Sequence, residues 1–316
     1  MKVVFLDTVH SILKERLRDG GFNCLDAAHE DKLSCITLLK DASGIVIRSK
    51  YKMDENFLKH APCLKFIARS GAGLENIDMS YCKQKGIEVF NSPEGNRNAV
   101  GEHALGMLLA LFNNLPRADR EVRAGKWNRE KNRGTELKGK TVAIIGYGNN
   151  GTAFANKLKG LDVSVIAYDK YKSGFGDAFV TETDLDFIYS NADVVSLHIP
   201  ENEETRFFVD GVFLSTFKKP IYLINLSRGK IVNTSALIKA IESKKVTGAC
   251  LDVLEYEKTN FESIIEKDLD SDFSYLLSSD KVILSPHIGG WTAESYFQLS
   301  DVLADKILDR FAAIAD

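Results

Sequence analysis

The sequence predicts an α/β protein made of two doubly wound parallel-sheet domains with an interdomain cleft. Three observations predict it. Short apolar or β-branched runs alternate with helical stretches along the chain, which implies parallel strands wrapped on both faces. A glycine-rich turn, Gly146, Gly148 and Gly151, breaks that alternation near the middle of the chain. The length of 316 residues with 44% hydrophobic residues suits about two buried cores.

In chain order, strands are expected at Val3–Leu6, Phe22–Leu25, Gly44–Ile47, Leu64–Ala68 and Ile87–Phe90. Helices are expected from Val9 and near Asp31–Leu39, Asp54–His60 and Met79–Lys85. This first unit closes near Pro93. Ala99–Arg123 then reads as one long helix, apolar almost all round between Ala104 and Phe112, and so buried in a core or against another subunit. Pro116 kinks or interrupts it. In the polar loop that follows, Trp127 is the large apolar residue and reads equally as an internal anchor or as a contact across a dimer interface.

The alternation resumes with strands at Thr141–Ile145, Val163–Ala167, Val194–Leu197, Ile221–Asn225, Thr247–Cys250 and Val282–Leu284. Ser271–Asp280 reads as a polar surface segment, and a last helix, Ala293–Ala313, has no strand after it. The chain thus crosses between units near residues 93–100, and again near 288–292 if that helix returns to the first unit. A cleft between two such units is a common place for small-molecule sites.

Composition narrows the partners. With 41 basic and 44 acidic residues the formal charge is −3, which argues against a nucleic-acid or membrane surface and for a small-molecule substrate. Five cysteines lie scattered without a C-x-x-C pair. Cys24, Cys63 and Cys250 lie in or beside apolar runs, so reduced core thiols are expected, with neither a disulfide frame nor a metal site. Val3–Leu6 is too short for a signal-peptide core, and Ala104–Phe112 falls short of a membrane span. A cytoplasmic protein is expected.

The stretch from Val142 to Gly151 reads as strand, tight turn and helix start. Gly146 permits the turn, Gly148 lets backbone approach a pyrophosphate, and Gly151 lets helix pack on strand. The helix start offers unpaired N–H groups to the anion. Alone such a pattern is weak, but Asp169 ends the next strand about 20 residues on, where a carboxylate holds a ribose 2′-hydroxyl and favours NAD over NADP. Lys170 and Lys172 soften that preference.

Ligands in an open parallel sheet lie beyond the carboxyl ends of the strands. Three such ends carry chemistry: Arg228 after Ile221–Asn225, Asp252 and Glu257 after Thr247–Cys250, and His287 after Val282–Leu284. An arginine there can hold a substrate carboxylate through two parallel bonds. A histidine can take a hydroxyl proton, and a carboxylate beside it supports the charged ring. Each residue also has a plain structural reading. His198, before Pro200, suits cofactor contact or support, while His10, His29, His60 and His103 are placed in the first unit, away from the chemistry.

Together, RSGAGLENID, NSPEGNRNAVGEHA, GTELKGKTVAIIGYG, VVSLHIPENEET, INLSRGKIVNTSAL, GACLDVLEYE and SPHIGGWT resemble the D-isomer-specific 2-hydroxyacid dehydrogenases over nearly the whole chain. The resemblance implies a flavodoxin-like substrate-binding domain over 1–96 plus 290–316 and a Rossmann NAD-binding domain over 97–289. It implies an oxidoreductase in which Arg228 holds the substrate carboxylate, His287 is the general acid/base and Glu257 pairs with it. Gly146, Tyr147, Gly148, Asn149, Asn150, Gly151, Asp169, His198, Pro200, Thr205, Leu226, Ser227, Arg228, Asp252, His287, Gly289 and Gly290 then line the cofactor. The backbone of Ser70-Gly71-Ala72-Gly73 receives the substrate carboxylate as an anion nest, and Arg48 and Arg69 meet a distal phosphate. The favoured substrate is 3-phospho-D-glycerate, in serine biosynthesis. Hydroxypyruvate, glyoxylate or D-lactate reduction is the enzymatic alternative, and an NAD-sensing corepressor-like protein is the alternative of another class. A homodimer through the NAD-binding domain is implied.

Three features depart from the family pattern. Asn150 is polar where an apolar residue usually packs, and Lys258 follows Glu257 in place of the usual proline. The sequence ends at Asp316, without the serine-sensing domain of longer members, so feedback through such a domain is expected to be absent.

Overall fold

A computed structural model describes residues 1–257 and 271–311. It divides into two compact units, residues 1–97 with 291–311, and residues 98–257 with 271–290. The expectation about Lys258 and the last residues of the predicted final helix lie outside the described residues.

The first unit runs β1 (Lys2–Phe5), α1 (Ser11–Asp19), β2 (Asn23–Asp26), α2 (Lys32–Leu38), β3 (Gly44–Ile47), α3 (Glu55–Leu58), β4 (Phe66–Arg69), α4 (Met79–Lys85) and β5 (Glu88–Asn91). Its five strands are all parallel, in the order β2-β1-β3-β4-β5. Asp31, Asp54 and Asp78 cap α2, α3 and α4 through their carboxylates, which fixes where each helix starts. Alternate strand residues point to opposite faces. Val4, Ile45, Ile47 and Ile67 enter one core, and Val3, Phe5, Val46, Phe66 and Ala68 the other. Burial of both faces is why these strands read as continuous apolar runs.

The interrupted helical stretch expected over Ala99–Arg123 is two helices, α5 (Pro93–Phe112), which starts six residues earlier, and α6 (Leu115–Arg123). The break falls at Asn114, whose φ is +53°, and Pro116 sits in the first turn of α6, where its missing N–H matters least. The second unit continues with β6 (Thr141–Ile145), α7 (Asn149–Lys157), β7 (Ser164–Tyr168), β8 (Val180–Glu182), α8 (Leu185–Asn191), β9 (Val194–Leu197), α9 (Gly211–Thr216), β10 (Ile221–Asn225), α10 (Thr234–Glu242), β11 (Val246–Leu251), α11 (Ser271–Ser278) and β12 (Val282–Leu284). Its seven parallel strands are ordered β12-β11-β10-β9-β6-β7-β8. α12 (Ala293–Phe311) packs in the first unit, where Leu303, Ala304, Ile307 and Phe311 join the core of Phe5, Leu13, Leu17 and Phe66.

Some expectations need correction. Ser271–Asp280 is mostly helix: Phe273 and Leu276, three residues apart on one face, are buried beneath the polar residues that dominate the sequence there. Trp127 is 79% exposed, which removes the internal-anchor reading. Cys63 is exposed, while Cys24, Cys35, Cys82 and Cys250 are buried thiols. Among the described residues no helix is long and apolar enough to cross a membrane, and no cluster of His, Cys, Asp and Glu suits a metal ion.

Candidate active site

Because every strand of the second unit runs the same way, the loops after them share one edge of the sheet. Strand order lines up along that edge His287, then Asp252 and Glu257, then Arg228, His198, the glycine turn and Asp169. Residues far apart in sequence thus become neighbours.

His287 and Glu257 form the central pair, with Nδ1 of the histidine 2.7 Å from Oε2 of the glutamate. The other glutamate oxygen accepts the Leu254 N–H at 2.5 Å, so the carboxylate is held from both ends. A carboxylate accepts, so Nδ1 carries the proton of this bond and Nε2 is the nitrogen facing proton exchange. His287 has φ +54°, an uncommon conformation for a non-glycine residue, held by its N–H on the carbonyls of Asp252 at 2.8 Å and Ser285 at 3.1 Å.

Arg228 lies in the turn after β10. Asn225 donates to the Arg228 carbonyl at 2.9 Å, Ser227 Oγ donates to the Leu197 carbonyl at 2.7 Å, and Arg228 Nη1 donates to the Ser227 carbonyl at 2.6 Å. A Cβ on Gly229 would overlap the Leu254 carbonyl, so this turn lies directly against the segment that leads to Glu257. Leu226 is buried and packs in the core beneath. His198 pairs with Ser196 Oγ at 2.8 Å and lies against Phe154, and burial of its ring pulls its pKa down to about 4. It is therefore neutral at physiological pH.

The glycine turn fits a dinucleotide. Gly146 has φ +93°, and a Cβ there would lie 2.5 Å from the His198 carbonyl oxygen. A Cβ on Gly151 would collide with the Gly146 carbonyl, which shows how closely helix and strand approach, whereas the space around Gly148 is open. Gly148 caps α7 without a side chain, leaving the first N–H groups at Asn149 and Asn150 to an anion. Asn150 Oδ1 is buried without a partner beside this turn. Asp169 accepts the N–H groups of Tyr147, Tyr171 and Lys172 at 2.8 to 3.1 Å. A carboxylate has about four acceptor sites, so roughly one remains for a ribose hydroxyl. Lys170 pairs with Glu204, and Lys172 donates to the Tyr147 carbonyl at 3.3 Å, so both lysines have protein partners. Thr205 Oγ1 closes its loop on the Pro200 carbonyl at 2.6 Å.

In the first unit the Ser70–Gly73 loop is a narrower nest than expected. Ser70 N–H donates to the Ile47 carbonyl, because pairing with β3 continues one residue past β4, and Gly71 N–H turns back on the Arg69 carbonyl two residues before it, so Ala72 and Gly73 are left for an anion. Arg69 is 8% exposed and donates to the carbonyls of Arg48 at 3.2 Å and Gly73 at 2.6 Å, so it props the loop from within. The Arg48 guanidinium lies 4.3 Å from the Trp291 ring centroid, and that ring is 61% exposed. Sequence reasoning missed Ser92 and Asn96, at and just after the start of α5. Each, like Ser70, has a buried oxygen without a partner, a state that calls for an explanation and leaves no trace in a residue pattern.

The family model described as D-isomer specific 2-hydroxyacid dehydrogenase, NAD binding domain, matches residues 105–289. The chain is 33% identical over 311 residues to a D-3-phosphoglycerate dehydrogenase of Archaeoglobus fulgidus, covering 98% of this chain and 57% of that protein. It is 34% identical over 279 residues to a hydroxypyruvate reductase of Thermotoga maritima, covering 88% of each. A D-lactate dehydrogenase of Aquifex aeolicus, solved with NAD and lactic acid, superposes with a TM-score of 0.82 at 28% identity, covering all of this chain and 97% of that one. The chain thus spans little more than half the length of the first of these relatives.

Proposed function

The chain belongs to the D-isomer-specific 2-hydroxyacid dehydrogenases, with an NAD-binding domain of that family, and we propose that it moves a hydride between NAD and C2 of a D-2-hydroxyacid. The 2.7 Å pair of His287 and Glu257 carries this reading. When bound, NAD supplies the hydride acceptor, and its reduced form the donor. Arg228 grips the substrate carboxylate and polarises the C2 oxygen. His287 takes the hydroxyl proton as C2 is oxidised and returns it on reduction, while the Glu257 carboxylate stabilises the charged ring between the two events.

The favoured substrate is 3-phospho-D-glycerate, with a role in serine biosynthesis in the cytoplasm. The 33% identity to the Archaeoglobus enzyme over 98% of the chain supports it, as does Arg48, a cation held against Trp291 beside the substrate loop. A second reading, hydroxypyruvate reduction, is favoured by equal identity to a relative of which the chain covers 88%. A homodimer through the NAD-binding unit is supported by α6, which buries no residue of its own, and by exposed Leu115, Val122 and Trp127.

The test is kcat/KM with NADH for 3-phosphohydroxypyruvate, hydroxypyruvate, glyoxylate and pyruvate, in the wild type and in Arg48→Ala. The phosphorylated substrate should lead by about 10-fold or more, as expected for a charge-assisted contact of 1.5–3 kcal/mol, and Arg48→Ala should erase that lead. Equal or better use of hydroxypyruvate by the wild type would move the assignment to the second reading. No turnover of any 2-oxoacid would leave an NAD-binding sensor.

A further inference from the structure

We propose that His103 is a positioning residue for the reaction, fixing through Ser285 and Asp252 the loop that presents His287. This rests on the acid–base reading of His287 above. His103 lies on α5 within the second unit, not in the first unit as its sequence position suggested. Its Nε2 is 2.9 Å from Ser285 Oγ, which is in turn 2.6 Å from Asp252 Oδ1. A hydroxyl has one proton to give, and a buried carboxylate is its strongest acceptor. The Met107 sulfur, 3.6 Å from Ser285 Oγ, is a weak rival. The serine oxygen must therefore receive the proton on His103 Nε2, and the chain of donors runs from His103 to Ser285 to Asp252. Nε2 also lies 3.5 Å from Asp252 Oδ1 directly.

Asp252 is 1% exposed. Burial alone would raise its carboxyl pKa. Hydrogen bonds from His103, Ser285, Ile288 N–H and Gly289 N–H outweigh burial and hold the group below the ordinary carboxylate range, so it is a buried anion. What that anion grips is the His287 loop. Oδ1 takes the Ile288 N–H at 2.9 Å, Oδ2 takes the Gly289 N–H at 2.7 Å, and the Asp252 carbonyl takes the His287 N–H at 2.8 Å. The φ of +54° at His287 persists only while its surroundings over-determine it. Loss of the His103 donor leaves Ser285 and Asp252 under-satisfied and lets residues 285–289 relax, carrying the reacting nitrogen out of line.

The test compares His103→Leu, His103→Gln, Ser285→Ala and the Leu/Ala double variant in hydroxypyruvate reduction by NADH. Readouts are kcat, KM, the NADH Kd by protein fluorescence, and the isotope effect with NADH deuterated at the transferred position. His103→Leu should lower kcat about 10- to 100-fold, as a small misplacement of a reacting group does, while KM and the NADH Kd stay within about 3-fold, short of a full tenfold step in binding. The isotope effect should rise, because the chemical step becomes limiting. His103→Gln keeps a donor and should recover most of the rate, and the double variant should be no worse than His103→Leu. Unchanged kcat in folded His103→Leu, or equal losses in the Gln and Leu variants, overturns the inference. Should the Leu variant fail to fold, the Gln and Ala variants decide by the same measures. His287→Asn separates the two readings. If it keeps full kcat, the acid–base reading falls and takes this one with it. If it is inactive while His103→Leu is unimpaired, this inference alone falls.

Discussion

Gly229 lies so close to Leu254 that a Cβ on the glycine would overlap the Leu254 carbonyl carbon and oxygen. That contact joins the turn carrying Arg228 to the segment carrying Glu257, and it depends on the missing side chain. Gly229→Ala must push the two loops apart. Overpacking of this kind costs about 1–3 kcal/mol, and a shift near 1 Å in Arg228 or Glu257 lowers the rate about 100-fold. Thermal unfolding and kcat/KM together check this. Wild-type kcat/KM in Gly229→Ala would show that the close approach is not needed.

Asp169 serves two purposes in the proposed cofactor site. It gathers the N–H groups of Tyr147, Tyr171 and Lys172, and it places a negative charge where a 2′-phosphate would sit. Asp169→Ala should therefore weaken NADH binding about 10-fold or more, since a hydrogen bond to a charged group contributes about 1.5–3 kcal/mol. It should weaken NADPH binding less, narrowing the preference for NADH. Titration of both cofactors by fluorescence checks it, and an unchanged NADH/NADPH ratio of Kd values would remove Asp169 from cofactor selection.

Trp127 tests the proposed dimer. Under the proposed dimer, Trp127, 79% exposed beside a helix that buries nothing of its own, would anchor the interface. Trp127→Ala should raise the dimer dissociation constant about 30-fold or more, the effect of losing a hot spot of about 2 kcal/mol. Light scattering over a concentration series measures this. A wild-type protein that is monomeric at every concentration would end the proposal.

Burial decided what could be read in advance. Gly44–Ile47, Thr141–Ile145, Val194–Leu197 and Ile221–Asn225 are strands buried on both faces, so their apolar runs stood out with the observed bounds. The gathering of Arg228, Glu257 and His287 along one edge was legible for a related reason: parallel topology sends every strand end to the same side of the sheet. α11 hid its two apolar contacts among serines and aspartates. The loop at Ser70–Gly73 has fewer N–H groups to offer than its sequence suggests, because no pattern tells that the neighbouring strand takes the one on Ser70 and a local turn the one on Gly71. His103 is the sharpest case. Its role depends on a proton's direction between three side chains separated by up to 182 residues, and such a relation exists only in three dimensions.

His198 gives the chain a specific acid sensitivity. Its ring is desolvated against Phe154 and Ser196, and burial sets its folded pKa near 4, against 6.5 when exposed. Well above pH 6.5 the ring is neutral in both folded and unfolded chains, so it makes no difference there. As pH falls from about 6.5 toward 4, the unfolded chain takes up a proton that the folded chain refuses, and stability drops. Between pH 7 and pH 5 this one ring should remove roughly 1–2 kcal/mol, allowing for its residual exposure. His198→Gln keeps a partner for Ser196 Oγ but cannot titrate. Its urea unfolding free energy should fall less than the wild type's over that interval, by about the same amount. Parallel curves for the two proteins would mean that water reaches His198 and that its ring already charges in the folded state.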